Sequence, residues 1–201
     1  MTQERAVRTR EQVLDAAAQE FAAHGYLGTT LLDVIQRTDM TKGALYGHFS
    51  SKEELAAALI EEAGGELSTR AQRAGEPDAA AVCTLRETVL DLARHLRQDT
   101  RARSALRLAV ESPHLDRHDL GLVQRICLSL TRAVEEAQAG DGNSGGYPPE
   151  AVARLLVSVF FGVPHPVPRD DADAARRFDD LWAAVSGPPK DGWADAVPQE
   201  R

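Results

Sequence analysis

Residues 29–55 read TTLLDVIQRTDMTKGALYGHFSSKEEL, and this stretch decides the architecture. Thr30 precedes an apolar run and Asp33 follows three residues later. That is the spacing of a capping box, in which hydroxyl and carboxylate each satisfy a free backbone N–H. Leu31, Val34 and Ile35 mark the inner face of the short helix this box opens. Asp39 falls where a tight turn calls for left-handed backbone, which Asp tolerates better than most residues but less well than Gly. A second short helix is expected from Thr41 to about Gly47, with Leu45 inward. Ser51-Lys52-Glu53-Glu54 repeats the capping pattern and opens a long helix towards Gln72. Two short helices, a tight turn and a capped third helix form a helix-turn-helix, a device that sets a short helix in the DNA major groove.

The side chains at this motif suit that task. Thr41-Lys42-Gly43-Ala44 offers a hydroxyl, a cation and two small residues at the start of the reading helix. Gly43 lets backbone approach base edges, and Lys42 reaches a guanine edge or a phosphate. Tyr46, His48 and Lys52 supply a phenol, an imidazole and a cation to hold phosphates, beside a helix N-terminus that itself attracts anions. Base reading and phosphate positioning are thereby divided between neighbouring residues. Phe21, Leu31, Val34, Leu45 and Phe49 are the expected platform beneath them.

Outward from the motif the chain reads as helical almost throughout. Leu14, Ala17, Ala18 and Phe21 stripe a first helix that ends near His24-Gly25, where Gly25 suits the residue past a helix end. Gly75-Glu76-Pro77-Asp78 is a break. Helices are expected over about 79–98, 101–111 and 119–139, then a loop at 140–149. Stripes at 152–163 and 178–185 follow, separated by Pro164, Pro166 and Pro168, and a frayed tail begins at Gly187. The expected organisation is all-α: a helix-turn-helix head at 1–52, a helical body at 53–186 and a tail at 187–201.

The net charge of −8 is unevenly placed. Residues 1–52 balance six cations (Arg5, Arg8, Arg10, Arg37, Lys42, Lys52) against six acids (Glu4, Glu11, Asp15, Glu20, Asp33, Asp39), so the acidity belongs to the body. Charges farther apart than about 8 Å are largely screened at physiological salt, so an acidic body is compatible with a DNA-reading head. No apolar run approaches the roughly 20 residues of a membrane span, and MTQERAVRTREQ lacks the apolar core of a secretory signal. Cys83 and Cys127 make no disulfide framework, so a reducing, cytoplasmic setting is expected. There is no phosphate-binding loop, dinucleotide glycine pattern or nucleophile motif. His114 and His118 have metal-ligand spacing, the one opening for a metal-dependent enzyme, but Leu115-Asp116-Arg117 between them does not match the zinc pattern HExxH. Neither catalysis nor a cofactor or metal is expected.

Residues from about 8 to 55 resemble the DNA-binding domain of the TetR family of bacterial transcriptional regulators. The resemblance rests on Gly25-Tyr26, Thr29-Thr30-Leu31, Asp33-Val34, Thr41 to Tyr46, His48-Phe49 and Ser51 to Leu55. With Phe160-Phe161-Gly162-Val163, it extends to the γ-butyrolactone autoregulator receptors. It implies a homodimeric, ligand-released repressor with double-stranded DNA and a small-molecule effector as partners. It also implies DNA contacts at Thr41, Lys42, Gly43, Ala44, Tyr46, His48 and Lys52, with a phosphate contact at Thr30. Arg5, Arg8 and Arg10 are candidates for a basic arm.

This chain departs from the family pattern in four places. Asp39 stands where Gly is usual, Ile35 where Ala is common, Ile126 where the butyrolactone receptors carry a pocket tryptophan, and Pro164 where Gln is common. Candidate pocket walls are Val82, Leu85, Val89, Leu106, Val110, Ile126, Leu130 and Phe161, residues that equally suit a plain bundle core. Val152, Leu155, Leu156, Val159, Phe160, Phe178, Leu181, Trp182 and Val185 are candidates for a four-helix dimer seam.

Overall fold

The computed structural model describes residues 2–38, 40–73, 81–140, 147–161 and 168–185. Asp39, the Gly75–Asp78 break, Pro164, Pro166, most of the 140–149 loop and the tail from Gly187 lie outside the described residues. The side chains of Arg5, Val82 and Phe161 lie outside them too. Every regular element among the described residues is helical, in the order α1 (Thr2–Gly28), α2 (Leu31–Gln36), α3 (Lys42–Tyr46), α4 (Lys52–Gln72), α5 (Ala81–Gln98), α6 (Thr100–Glu111), a 3₁₀ turn (Pro113–Leu115), α7 (Leu122–Gly140), α8 (Pro149–Phe161) and α9 (Asp171–Val185).

Local chemistry accounts for the boundaries. Thr30 forms the expected reciprocal box: its hydroxyl accepts from Asp33 N at 3.3 Å, and the Asp33 carboxylate accepts from Thr30 N at 2.8 Å. Thr41 caps α3 and Ser51 caps α4 through the same hydroxyl-to-amide geometry. The second expected box is only half formed. Glu54 reaches one residue farther back, accepting from N and Oγ of Ser50 at 2.7 and 2.6 Å, so Ser51 N is not its partner. The first helix breaks where expected: at Gly25 the backbone takes φ 71 and ψ −178, a region essentially reserved for glycine, and a further turn then carries α1 to Gly28. Residues 2–10 extend α1 as helix instead of forming a loose arm.

Two hydrophobic clusters organise the chain. The first joins Leu14, Ala17, Phe21, Tyr26, Val34, Leu45 and Phe49 of the head to Leu55, Leu59 and Ile60 of α4, Leu108 of α6 and Leu115. The head core therefore runs on past residue 52. The reason is length: the 21 residues of α4 span roughly 30 Å, enough to serve both clusters. The second cluster is the body, built by Leu67 and Ala71 of α4 with the inner faces of α5 to α9. Arg86 clamps Asp179 through Nε at 2.8 Å and a second nitrogen at 3.2 Å, and Arg94 and Arg97 both pair with Asp171, so α9 is held to α5.

A polar seam joins α1 to α6. Arg101 donates to Asp15 at 2.7 Å, to the Glu11 carboxylate at 2.7 Å and to Glu11 O at 3.0 Å. Arg107 donates to Ala22 O at 2.8 Å and to Glu111 at 2.6 Å. The other oxygen of Glu111 accepts from Tyr26 N at 3.1 Å. A Cβ at Gly25 would lie 2.4 Å from Glu111 Oε2 and 2.9 Å from an Arg107 nitrogen. Gly25 thus permits both the backbone reversal and the approach of this latch.

Candidate nucleic-acid interface

α2 and α3 rest on a dry platform. Phe21, Val34 and Leu45 are fully buried and Phe49 nearly so, while Leu31 and Ile35 are half-buried against them. Glu20, itself buried, pairs with Arg37 just past the end of α2 and lies 2.9 Å from His24 Nδ1, which ties α2 to α1. The half-buried Ile35 shows how the larger residue is accommodated: it sits at the edge of the platform, outside its centre.

The outward surface of α3 carries the expected residues. Thr41, Lys42 and Gly43 are exposed, Ala44 is half-buried and Tyr46 is 45% exposed. Lys42 Nζ lies 5.7 Å from the centre of the Tyr46 ring, within the range of a cation–π contact. Nothing lies within 4 Å of where a Gly43 Cβ would stand, so folding does not require glycine there. Thr30 is exposed at the start of α2, and His48 is half-buried past the end of α3. The Thr30 hydroxyl and amide hold the Asp33 carboxyl below its ordinary range.

Lys52 is placed differently from a free surface cation. Its Nζ donates to Tyr26 O at 2.9 Å and Thr29 O at 3.0 Å, and it sits 4.3 Å over the Tyr26 ring. These carbonyls follow the Gly25 reversal, so Lys52 caps the end of α1 while standing at the first turn of α4. Arg10 is likewise engaged, paired with Glu62 and lying 5.4 Å from the Phe49 ring centre. Arg8 is exposed.

In the body, Leu85, Val89, Leu106, Ile126 and Leu130 all lie in the central cluster, whereas Val110 is 41% exposed. A cavity of about 620 Å³ opens on the opposite side of α7, bounded by Ala109, Asp116, His118, Leu122, Cys127, Leu128, Thr131, Glu150 and Arg154. None of the described wall residues expected from sequence faces it. Burial pushes the Cys127 thiol up.

The dimer candidates divide. Val152, Leu156, Phe160, Phe178 and Val185 are buried in the chain's own core. Leu155 is exposed, and Val159, Leu181 and Trp182 are partly covered. Trp182 stacks on Phe178 at 6.0 Å. His114 meets the edge of Tyr26 at 6.4 Å, and His118 lines the cavity; neither joins a metal-ligating trio among the described residues.

Sequence reasoning missed Glu111, Arg107 and Arg101, because their partners lie 85 to 90 positions away. Gly25 was the only local signal of the latch.

The geometry can now be set beside known proteins. Residues 13–59 match the model for bacterial regulatory proteins of the tetR family. The chain belongs to the TetR family. The family is one of helix-turn-helix transcription regulators and not of enzymes. It is 34% identical over 113 residues to the A-factor receptor protein of Streptomyces griseus. That alignment covers 56% of this chain but only 39% of the receptor, so the chain spans well under two thirds of this curated relative. A gamma-butyrolactone receptor (ArpA like protein) superposes with a TM-score of 0.75 at 26% identity, covering 90% of this chain and 87% of that one. A second structure, described as the molecular basis for control of antibiotic production by bacterial hormones, superposes with a TM-score of 0.64 at 30% identity. It covers 89% of this chain and 98% of its own. No helix among the described residues is long and apolar enough to cross a membrane.

Proposed function

We propose that this TetR-family protein is a ligand-responsive repressor that binds a near-palindromic operator as a homodimer. The observation that carries the reading is the exposed Thr41-Lys42-Gly43 start of α3, with Tyr46 beside it, on a platform whose buried side chains fix its direction. Lys42, Gly43 and Ala44 approach base edges; Thr30, Thr41, Tyr46 and His48 position phosphates. Lys52 contributes its charge at the α4 N-terminus while anchored to Tyr26 and Thr29.

The dimer seam runs along α8 and α9 through Leu155, Val159, Leu181 and Trp182. Two heads then face successive major grooves, with centres about 34–36 Å apart or a multiple of that. A small-molecule signal (γ-butyrolactone-like, furan-type, an antibiotic or its intermediate) binds the body and favours an arrangement that misplaces the heads. Its leverage is its differential affinity; a switch from 1:99 to 99:1 takes about 5.5 kcal/mol. A role in controlling antibiotic biosynthesis is supported by the likeness to the structure described as the molecular basis for control of antibiotic production by bacterial hormones.

One observation favours a second reading, a DNA-binding pseudo-receptor without lactone response. Ile126 stands where the receptors carry a tryptophan wall, and it is packed in the core beside Leu85, Val89 and Leu130.

The test is capture of fragmented genomic DNA from the source organism, followed by titration of a recovered duplex against salt. The expected result is an enriched two-fold-symmetric site and a steep log–log salt slope. Failure to enrich any fragment, or salt-independent binding, overturns the reading. Displacement of the duplex by a butyrolactone separates receptor from pseudo-receptor.

A further inference from the structure

We infer that Glu66, His95 and Asp99 form a site for a divalent first-row transition ion, Zn²⁺ foremost, at the junction of α4, α5 and α6. One ligand atom from each residue lies within 4.8 Å of the other two. His95 Nε2 stands 3.8 Å from Glu66 Oε1, too far for a hydrogen bond. Ligands about 2.1 Å from a tetrahedral metal lie roughly 3.4 Å apart. The trio needs a contraction, in which Glu66, 51% exposed and accepting from Arg70 Nε and Nη2 at 3.1 and 2.8 Å, turns towards His95.

The second observation concerns the histidine. Its side chain is only 12% exposed, and Nε2 is sealed from solvent with no hydrogen-bond partner among the described residues. A buried imidazole nitrogen without a partner is costly, and a metal ion would satisfy it. One imidazole and two carboxylates, without a thiolate, suit zinc and its neighbours in the first row and leave a position open to water.

The surroundings are compatible with loading. A cavity of about 520 Å³, lined by Asp15, Gln19, His95, Asp99 and Arg101, gives an entry path. Asp99 uses Oδ1 to cap α6, accepting from Arg101 N at 2.7 Å and Ala102 N at 3.1 Å. Arg70 would share Glu66 with the ion and keeps Asp91 at 2.8 Å as its other partner. The ion would join α4, which begins in the head, to the α5–α6 corner, where Arg101 already grips α1. It is therefore a brace between head and body, independent of what the head binds.

The experiment uses the full chain after chelator treatment. Co²⁺ is titrated while its visible absorption is followed, then displaced with Zn²⁺, and thermal melts are run with and without Zn²⁺. One equivalent per chain is expected, with a higher melting temperature when loaded. His95→Gln and Glu66→Gln each should weaken binding at least about tenfold, given that even outer-shell losses cost 10–100-fold. Asp99→Asn is the decisive variant, since Asn caps a helix as well as Asp and the fold is kept while the charge is lost. It too should weaken binding by about that factor and abolish the Zn²⁺-dependent rise in melting temperature. No saturable Co²⁺ band, or equal affinity in the wild type and His95→Gln, overturns the site. DNA capture is unaffected by either outcome, so this inference and the repressor reading fail separately.

Discussion

Gly25→Ala is the most informative perturbation of the fold, because one methyl group meets two independent obstacles. Backbone at φ 71 and ψ −178 costs a non-glycine residue on the order of 1–3 kcal/mol. The added Cβ also stands 2.4 Å from Glu111 Oε2 and 2.9 Å from an Arg107 nitrogen, so the carboxylate must leave Tyr26 N. Loss of a hydrogen bond to a charged group costs roughly 1.5–3 kcal/mol. Reduced entropy of the unfolded chain returns about 0.5 kcal/mol. The net is about 2–5.5 kcal/mol, which for a chain of this length lowers the melting temperature by roughly 4–22 °C. Far-UV circular dichroism melts measure it. Gly65→Ala is the control: its Cβ meets nothing within 4 Å, and helix propensity alone gives a stabilisation of up to about 1 kcal/mol. Glu111→Ala removes the latch without backbone strain. The double variant should therefore be about 1.5–3 kcal/mol less destabilised than the sum of the singles, the hydrogen bond being lost only once. A melting temperature for Gly25→Ala within 2 °C of wild type, on the scale that converts about 1 kcal/mol into 2–4 °C, would refute both the strain and the latch.

Gly43→Ala should leave the melting temperature unchanged or slightly raised, since its Cβ meets open space, yet weaken operator binding by about 1–3 kcal/mol in a gel shift. Lys42→Ala should lower the log–log salt slope by about 1 without altering the dimer in sedimentation; an unchanged slope removes Lys42 from the interface. Ile126→Trp, which restores the aromatic residue of the receptors, should destabilise by about 1–3 kcal/mol in urea unfolding, because Ile126 is 3% exposed in a packed cluster. Arg94 and then Arg97 hold the Asp171 carboxyl below its ordinary value of 3.8, so its contribution to stability is present above that pH and is lost as pH falls through the lower folded value. Asp171→Asn should therefore narrow the gap between urea midpoints at pH 7 and pH 3, and an unchanged gap would show that the clamp to α5 is not what titrates.

Local chemistry made the reading head legible in the sequence. Capping hydroxyls, period-3.6 stripes and the short Thr41–Gly47 span involve residues at most four apart, so the sequence shows where these helices begin, end and face, although helices this short are held only by the platform beneath them. The capping box at Thr30, the cap at Ser51 and the inward Leu45 were legible for that reason. Tertiary structure decided which of several equivalent apolar faces became core. α8 presents hydrophobic residues around much of its circumference, and packing against the body buried Val152, Leu156 and Phe160 while leaving Leu155 outside. It also decided the partners of charged groups. Lys52 reads as a phosphate anchor in sequence, but the Gly25 reversal delivers two carbonyls to its Nζ. Glu111 reads as the end of a helix, yet it receives the Tyr26 amide from 85 positions away. Charge and hydrogen-bonding capacity are written in each residue; which group arrives to meet them depends on how helices cross, and only the folded chain fixes that.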